Sequence, residues 1–187
     1  FYPTKILGCF GDGGAIVTNN YNIYTNAKKI RNHGRNIKGH VDQWGTNSRL
    51  DNVQAAILNY NLTKVEETIK KRITLAKLYF ELLKHNKNIK FTHVANNSVV
   101  RHTFQNFEIL VKKRNKLKNF LQENGIETLI QWKSIPINKL KLPKFKNSVL
   151  KITSTYFKYC LCLPINNSLS EKEIHYICKK INLFYTK

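Results

Sequence analysis

The sequence predicts an α/β chain in two parts: an α/β segment with a long linking helix over residues 1–87, and a small C-terminal α+β domain over residues 88–187. Three observations predict it. A glycine-rich turn at Gly11, Gly13 and Gly14 leads into a β-branched run and then a helical stretch, the order expected of α/β layers. Apolar residues then recur at three- and four-residue spacings from Val53 to Leu83, the period of a helix with one buried face. Beyond Leu83 short strand-like and helix-like segments alternate between Gly and Pro punctuation, which suits a segregated α+β unit.

Taken in order, Ala15-Ile16-Val17-Thr18 reads as a buried strand closed by Asn19-Asn20. A helix follows over residues 22–32 and stops at Gly34, because glycine accepts the left-handed conformation that ends helices. Residues 35–49 are polar and rich in Gly, Asn and His, a loop of the kind that carries function on a rigid scaffold. Asp51 is placed to cap the next helix, with Val53, Ala56, Ile57 and Tyr60 on its inward face. Leu62, Val65, Ile69, Ile73, Ala76, Phe80 and Leu83 extend the pattern into a long amphipathic helix of about six turns. The domain boundary is expected at residues 86–88.

In the second part, residues 104–111 read as a strand and 114–124 as a helix with Leu117, Phe120 and Leu121 inward, ended by Gly125. Residues 126–130 are again strand-like. Pro136 and Pro143 mark a lysine-rich loop, residues 149–159 can be helical, and 160–163 form a short strand ending at Pro164. Ser170 and Glu173 make a capping box for a last helix whose inward face is Ile174, Ile177, Cys178 and Ile181.

With 42% hydrophobic residues in 187, the chain can bury a core. Its 32 Lys and Arg against 11 Asp and Glu give a formal charge of +21, which invites a nucleic-acid reading, since clustered cations gain affinity for phosphate by releasing counterions. The cations are dispersed along the whole chain and travel with an excess of Asn and Ile, which reads as a compositional bias instead of a binding stripe; the charge still favours anionic small molecules such as a nucleotide diphosphate or a cofactor phosphate. A basic nucleic-acid-binding module therefore stands as a rival resting on charge alone. No apolar run approaches the roughly 18 residues that span a bilayer, and no signal-peptide pattern opens the chain. No membrane partner is expected, and a soluble cytoplasmic protein is. Cys9, Cys160, Cys162 and Cys178 form no C-x-x-C pair; they read as small buried hydrophobes, not metal ligands, with Cys160 and Cys162 on one face of a short strand.

Lys5 is the candidate for covalent chemistry. It sits between rigid Pro3 and the glycine turn, flanked by Phe1, Tyr2, Ile6, Leu7 and Phe10. An amine that condenses with an aldehyde must lose its proton part of the time, and apolar surroundings lower its pKa. The segment Tyr2-Pro3-Thr4-Lys5-Ile6-Leu7-Gly8 with Gly11-Asp12-Gly13-Gly14, then Arg31-Asn32-His33-Gly34, then the run from Gly45 through Asn47, Arg49, Leu50, Asp51 and Gln54 to Leu58, resemble the DegT/DnrJ/EryC1/StrS sugar aminotransferases. The similarity runs over essentially the whole chain, as the second half of such an enzyme.

The resemblance implies a fold-type I pyridoxal phosphate (PLP) dependent transferase, with residues 1–87 as the C-terminal part of its large PLP-binding domain and Lys5 as the Schiff-base residue. It implies a nucleotide-linked keto sugar as substrate, an amino acid such as glutamate as amino donor, and a homodimer with shared active sites, working in amino-sugar biosynthesis for cell-surface polysaccharide. Asn47 is implied to reach the cofactor phosphate of the neighbouring subunit; by itself it reads equally as a turn residue, and Arg49 as a structural ion-pair partner. Tyr2 matches a tyrosine near the keto sugar, or packs in a core. Lys38 matches a basic residue for the sugar nucleotide. Gln131 and Trp132 stand where many relatives carry His-Tyr-Pro; this variant points to the 3-keto position, with Trp132 stacking on sugar or base or else packing at the domain interface. Asp12 is a turn residue, since the aspartate that pairs with the pyridinium nitrogen in such enzymes precedes the lysine. The chain, with no methionine and Phe1 first, is thus expected to be a fragment beginning just before that lysine, with an inactive truncated remnant as a further alternative.

Overall fold

The computed structural model describes residues 1–92, 101–140 and 149–186. Contacts divide them into two compact units, Phe1–Glu66 and Glu67–Lys187. The division falls some twenty residues before the expected boundary at 86–88, because the long helix packs with the C-terminal sheet.

The first unit holds helices α1 (Tyr21–Ile30) and α2 (Asn52–Leu62). The side chain of Asn20 caps α1, accepting from the backbone N–H groups of Asn22 at 2.9 Å and Ile23 at 3.2 Å. After α1 the chain folds back on itself: Asn32 and Asn47 form an antiparallel bridge, and so do Arg35 and Val41. Gly34, at φ +73°, and Gly45 make this possible. A Cβ on Gly34 would lie 1.7 Å from the Gln43 carbonyl oxygen, and one on Gly45 would lie 2.1 Å from the Gly34 nitrogen.

Two expectations for this unit are corrected. Residues 15–18 form no strand; Ile16 and Val17 are exposed, because no described segment offers them ladder partners. The inward face of α2 is also different: Val53, Ala56 and Tyr60 are exposed, Leu58 is the buried residue, and Asp51 occupies the N-cap position without a side-chain hydrogen bond. Helical period locates a stripe but does not say which stripe meets a partner, and here the polar Gln54 and Asn61 face the chain.

The second unit is an antiparallel sheet of β1 (Ile89–Phe91), β2 (Phe107–Val111) and β3 (Cys160–Leu163) in that spatial order. Helices α3 (Val65–Leu83), α4 (Arg114–Glu123), α5 (Lys151–Tyr159) and α6 (Glu171–Thr186) accompany it. In β2, Phe107, Ile109 and Val111 point to the core, paired across the sheet as Phe107 with Leu163 and Ile109 with Leu161. Tyr79 of α3 stacks on Phe107 at 4.7 Å between ring centroids, and Leu117, Leu121, Ile174, Ile177 and Ile181 close the core. The predicted inward faces of α4 and α6 are the observed ones, apart from Phe120, which is half-buried.

The capping box forms: Ser170 N–H donates to Glu173 at 2.8 Å and Glu173 N–H to the Ser170 hydroxyl at 3.3 Å. The Ser170 N–H and the Ser170 hydroxyl, both donating to the carboxylate, hold the Glu173 carboxyl below the usual carboxylate range. The long helix is split by a turn at Thr63 and Lys64, so Leu62 is exposed. Residues 126–130 make a single bridge, Leu129 with Cys162, instead of a strand. Strand β1 escaped the sequence reading because three residues carry too little pattern. Pro143 lies outside the described residues.

Candidate functional site

Lys5 sits on a tight loop whose shape is set by backbone bonds. Its N–H donates to the Tyr2 carbonyl at 2.9 Å, and Cys9 N–H to the Phe1 carbonyl at 2.9 Å. The carbonyls of Tyr2, Pro3 and Lys5 curl around Gly8 so closely that a Cβ there would lie 2.9 Å from the first two, which is why glycine ends the motif. Helix α2 then pins the loop. Asn61 Nδ2 donates to the Gly8 carbonyl at 2.8 Å, and Phe10 N–H donates to Gln54 Oε1 at 2.8 Å. The Lys5 side chain is left exposed on this fixed support. Gln54 and Asn61 are positioning residues that the sequence reading missed; Gln54 lay inside a quoted motif, and its polar type on a helix face turned toward the chain was the available signal.

Asn47 is held by the folded-back segment, with Thr46 N–H on the Ile30 carbonyl at 2.7 Å and Ser48 N–H on the Arg31 carbonyl at 2.9 Å. Arg49 Nε donates to Asn47 Oδ1 at 3.1 Å, so the amide oxygen is engaged and the NH2 group is the donor end of this exposed side chain. Arg49 is therefore a partner of Asn47, and it forms no ion pair among the described residues. It also lines a cleft of about 610 Å³ together with Lys28, Lys29, Arg31 and Arg35, a cationic wall suited to a phosphate group.

Tyr2 is 52% exposed, which removes its core-packing alternative within these residues. Lys38 is exposed on a turn in which its N–H donates to Asn36 Oδ1 at 2.9 Å, and Lys29 pairs with Asp42 at 3.0 Å nearby in sequence. Gln131 and Trp132 belong to the second unit, on a 3-10 turn spanning Gln131–Ser134. There Trp132, Lys133 and Ser134 take positive φ values of 50°, 52° and 65°, and the indole is 80% exposed. Such φ values in non-glycine residues are uncommon and cluster at functional sites. The structure thus brings together Tyr2 with Lys5, Asn47 with Arg49, and Gln131 with Trp132.

These residues fit the chemistry of PLP. Lys5 offers a primary amine on a backbone-fixed loop, Asn47 an oriented amide donor that holds its complementarity to phosphate at any pH, and the cleft beside Arg49 supplies cations. Among the described residues no helix is long and apolar enough to cross a membrane.

The sequence profile of the DegT/DnrJ/EryC1/StrS aminotransferase family matches residues 1–182. The chain is 33% identical over 190 residues to a "Pleiotropic regulatory protein" of Geobacillus stearothermophilus, covering 99% of this chain and 50% of that protein. It is 33% identical over 179 residues to the UDP-2-acetamido-2-deoxy-3-oxo-D-glucuronate aminotransferase of Pseudomonas aeruginosa, covering 95% and 48% respectively. Among solved structures, S. venezuelae DesV in complex with a ketimine intermediate superposes with a TM-score of 0.90 at 28% identity, over 100% of this chain and 50% of that one. The chain spans about half the length of the relatives it matches. It belongs to the DegT/DnrJ/EryC1/StrS aminotransferase family, whose cofactor is PLP.

Proposed function

We propose that this protein is a PLP-dependent aminotransferase that converts a nucleotide-linked keto sugar to an amino sugar, at the 3-keto position, with an amino acid such as glutamate as donor. The pinning of the Lys5 loop by Gln54 and Asn61 carries the reading, because a catalytic amine needs a support that does not yield. Family membership favours it over a nucleic-acid-binding module. Support for the 3-keto position comes from the Gln131-Trp132 pair and from a relative named for a 3-oxo sugar.

PLP, when bound, supplies an aldehyde that condenses with amines and a ring that takes up the electrons left on the substrate carbon. Lys5 Nζ would hold the cofactor and, once freed by the donor amine, would serve as the acid/base that moves a proton to and from the substrate carbon. Asn47 Nδ2 would donate to the cofactor phosphate. Tyr2, Lys38, Gln131 and Trp132 orient the sugar nucleotide, the cation neutralising phosphate charge and the indole stacking on sugar or base. The working unit is a cytoplasmic homodimer in which Asn47 serves the neighbouring subunit's site, feeding amino-sugar synthesis for cell-surface polysaccharide.

Borohydride reduction of the whole protein with PLP, followed by peptide mapping, tests the anchor. The cofactor should be trapped on the peptide containing Lys5; trapping on another lysine, or none in a folded protein, overturns the assignment and leaves an inactive remnant. Mixing Lys5→Ala with Asn47→Ala subunits tests the shared site. Provided each homodimer is impaired, the hybrid should recover activity because one of its two sites carries neither defect. Hybrids of verified composition that gain nothing return Asn47 to a turn residue.

A further inference from the structure

On the sheet face away from the aromatic core, the antiparallel register sets Glu108 opposite Cys162 and Leu110 opposite Cys160. The alternation that sends Phe107 and Ile109 inward therefore turns the Glu108 carboxyl and two thiols to the same side. The two sulfurs and a carboxylate oxygen all lie within 4.8 Å of one another, and Cys162 Sγ is 3.7 Å from Glu108 Oε1. Tetrahedral coordination with metal–sulfur bonds of about 2.3 Å and metal–oxygen bonds of about 2.1 Å needs donor separations of about 3.6–3.8 Å. The cluster is thus within a small side-chain adjustment of a ligand set.

We propose that Cys160, Cys162 and Glu108 form a binding site for a thiophilic divalent cation of the zinc type. Both cysteines are almost fully buried, at 4% and 5% exposure, so the donors are held on the backbone of β2 and β3 instead of on mobile loops. The hydroxyl of Tyr156 on α5 hydrogen-bonds Glu108 Oε2, the outer contact that orients a ligating carboxylate. Arg114, anchored by bonds to the Ser134 hydroxyl at 2.8 Å and the Phe157 carbonyl at 2.5 Å, lies close enough to Cys160 to offset negative charge at the site. Cys162 also borders an open cleft of about 690 Å³. Binding as thiolates releases two protons to solvent, and three protein donors leave a fourth position for water. The bound ion would tie β2 to β3, with α5 held through Tyr156. The sequence signalled only the C-x-C pair; the carboxylate arrives from a strand some fifty residues away.

The test is Co2+ titration of the full chain, reduced and stripped with chelator, followed by visible and near-ultraviolet absorption. One equivalent should produce a thiolate-to-cobalt charge-transfer band that Zn2+ abolishes by displacement. Cys178→Ala should keep the band, since that buried thiol lies on the inward face of α6. Cys160→Ala and Cys162→Ala keep an apolar side chain and the fold, checked by circular dichroism, and each should lose most of the band. Tyr156→Phe should weaken binding about 10- to 100-fold. Zn2+ should raise the thermal midpoint of the parent chain and not of the cysteine variants. No thiolate band at one equivalent in the folded, reduced chain, or a band that survives the double Cys160→Ala, Cys162→Ala change, overturns the site.

Discussion

Phe107, Ile109 and Leu161 in the second unit are wholly shielded from solvent, while Val17 and Trp44 in the first unit are 95% and 98% exposed. Buried hydrophobic side chains in the first unit are confined, among the described residues, to Cys9 and Leu58. The two units are therefore held by different forces. In the second, apolar burial against a three-stranded sheet supplies the stability, as in any small α+β domain. In the first, glycines that permit close backbone approach, and side-chain amides that satisfy backbone groups, set the shape. The residues proposed to do the covalent chemistry lie in the unit that is shaped by polar contacts. Its exposed large apolar side chains include Ile16, Val17, Trp44, Val53 and Tyr60.

The contrast can be broken most forcefully at Phe107. Phe107→Ala should destabilise the second unit by about 3–5 kcal/mol, because it removes the ring that Tyr79 stacks on and leaves a cavity. Chemical denaturation followed by near-ultraviolet circular dichroism reads it, and a loss below 1 kcal/mol would mean that burial does not govern this unit. Gly34→Ala probes the first unit. The left-handed backbone alone costs a non-glycine residue about 1–3 kcal/mol, and the 1.7 Å approach to the Gln43 carbonyl adds an overlap that only backbone movement relieves. Hydrogen exchange at His33, Thr46 and Ser48 should rise in that variant while the amides of β2 and β3 keep their protection. If both sets of amides change together, the two units are not separately stabilised.

The smallest effect sharpens the comparison. Val53→Ser on the exposed face of α2 should change stability by no more than about 0.5 kcal/mol in residues 1–187, since the side chain is largely exposed among the described residues. In the whole protein the same change should weaken the proposed homodimer if that face is covered there. An unchanged dissociation constant places the cover elsewhere.

Much of the second unit was legible because its forces are local and periodic. The β2 alternation, the α4 stripe ended by Gly125 at φ +74°, and the Ser170 and Glu173 box each rest on residues that interact within a turn or two. The lysine loop was legible in another way, through order and type in a motif whose glycines turned out to be sites of close backbone approach. Residues 15–18 and the face of α2 were misread, because a β-branched run or an apolar stripe states a capacity for burial and not the presence of a partner.

By itself the sequence determined where α1, α4 and α6 lie, which residues of the last helix turn inward, and that Lys5 sits beside a glycine turn. Those outcomes depend on backbone conformation and on neighbours three or four residues away. Only the tertiary structure decided that Gln54 and Asn61 pin the lysine loop, that Arg72 of α3 is buried to bond the carbonyls of Phe104 and Ile165, and that Glu108 meets Cys160 and Cys162. Each of these joins residues from about thirty to more than ninety positions apart, and side-chain pattern within one element holds no information about which distant backbone or carboxylate the folded chain will place against it.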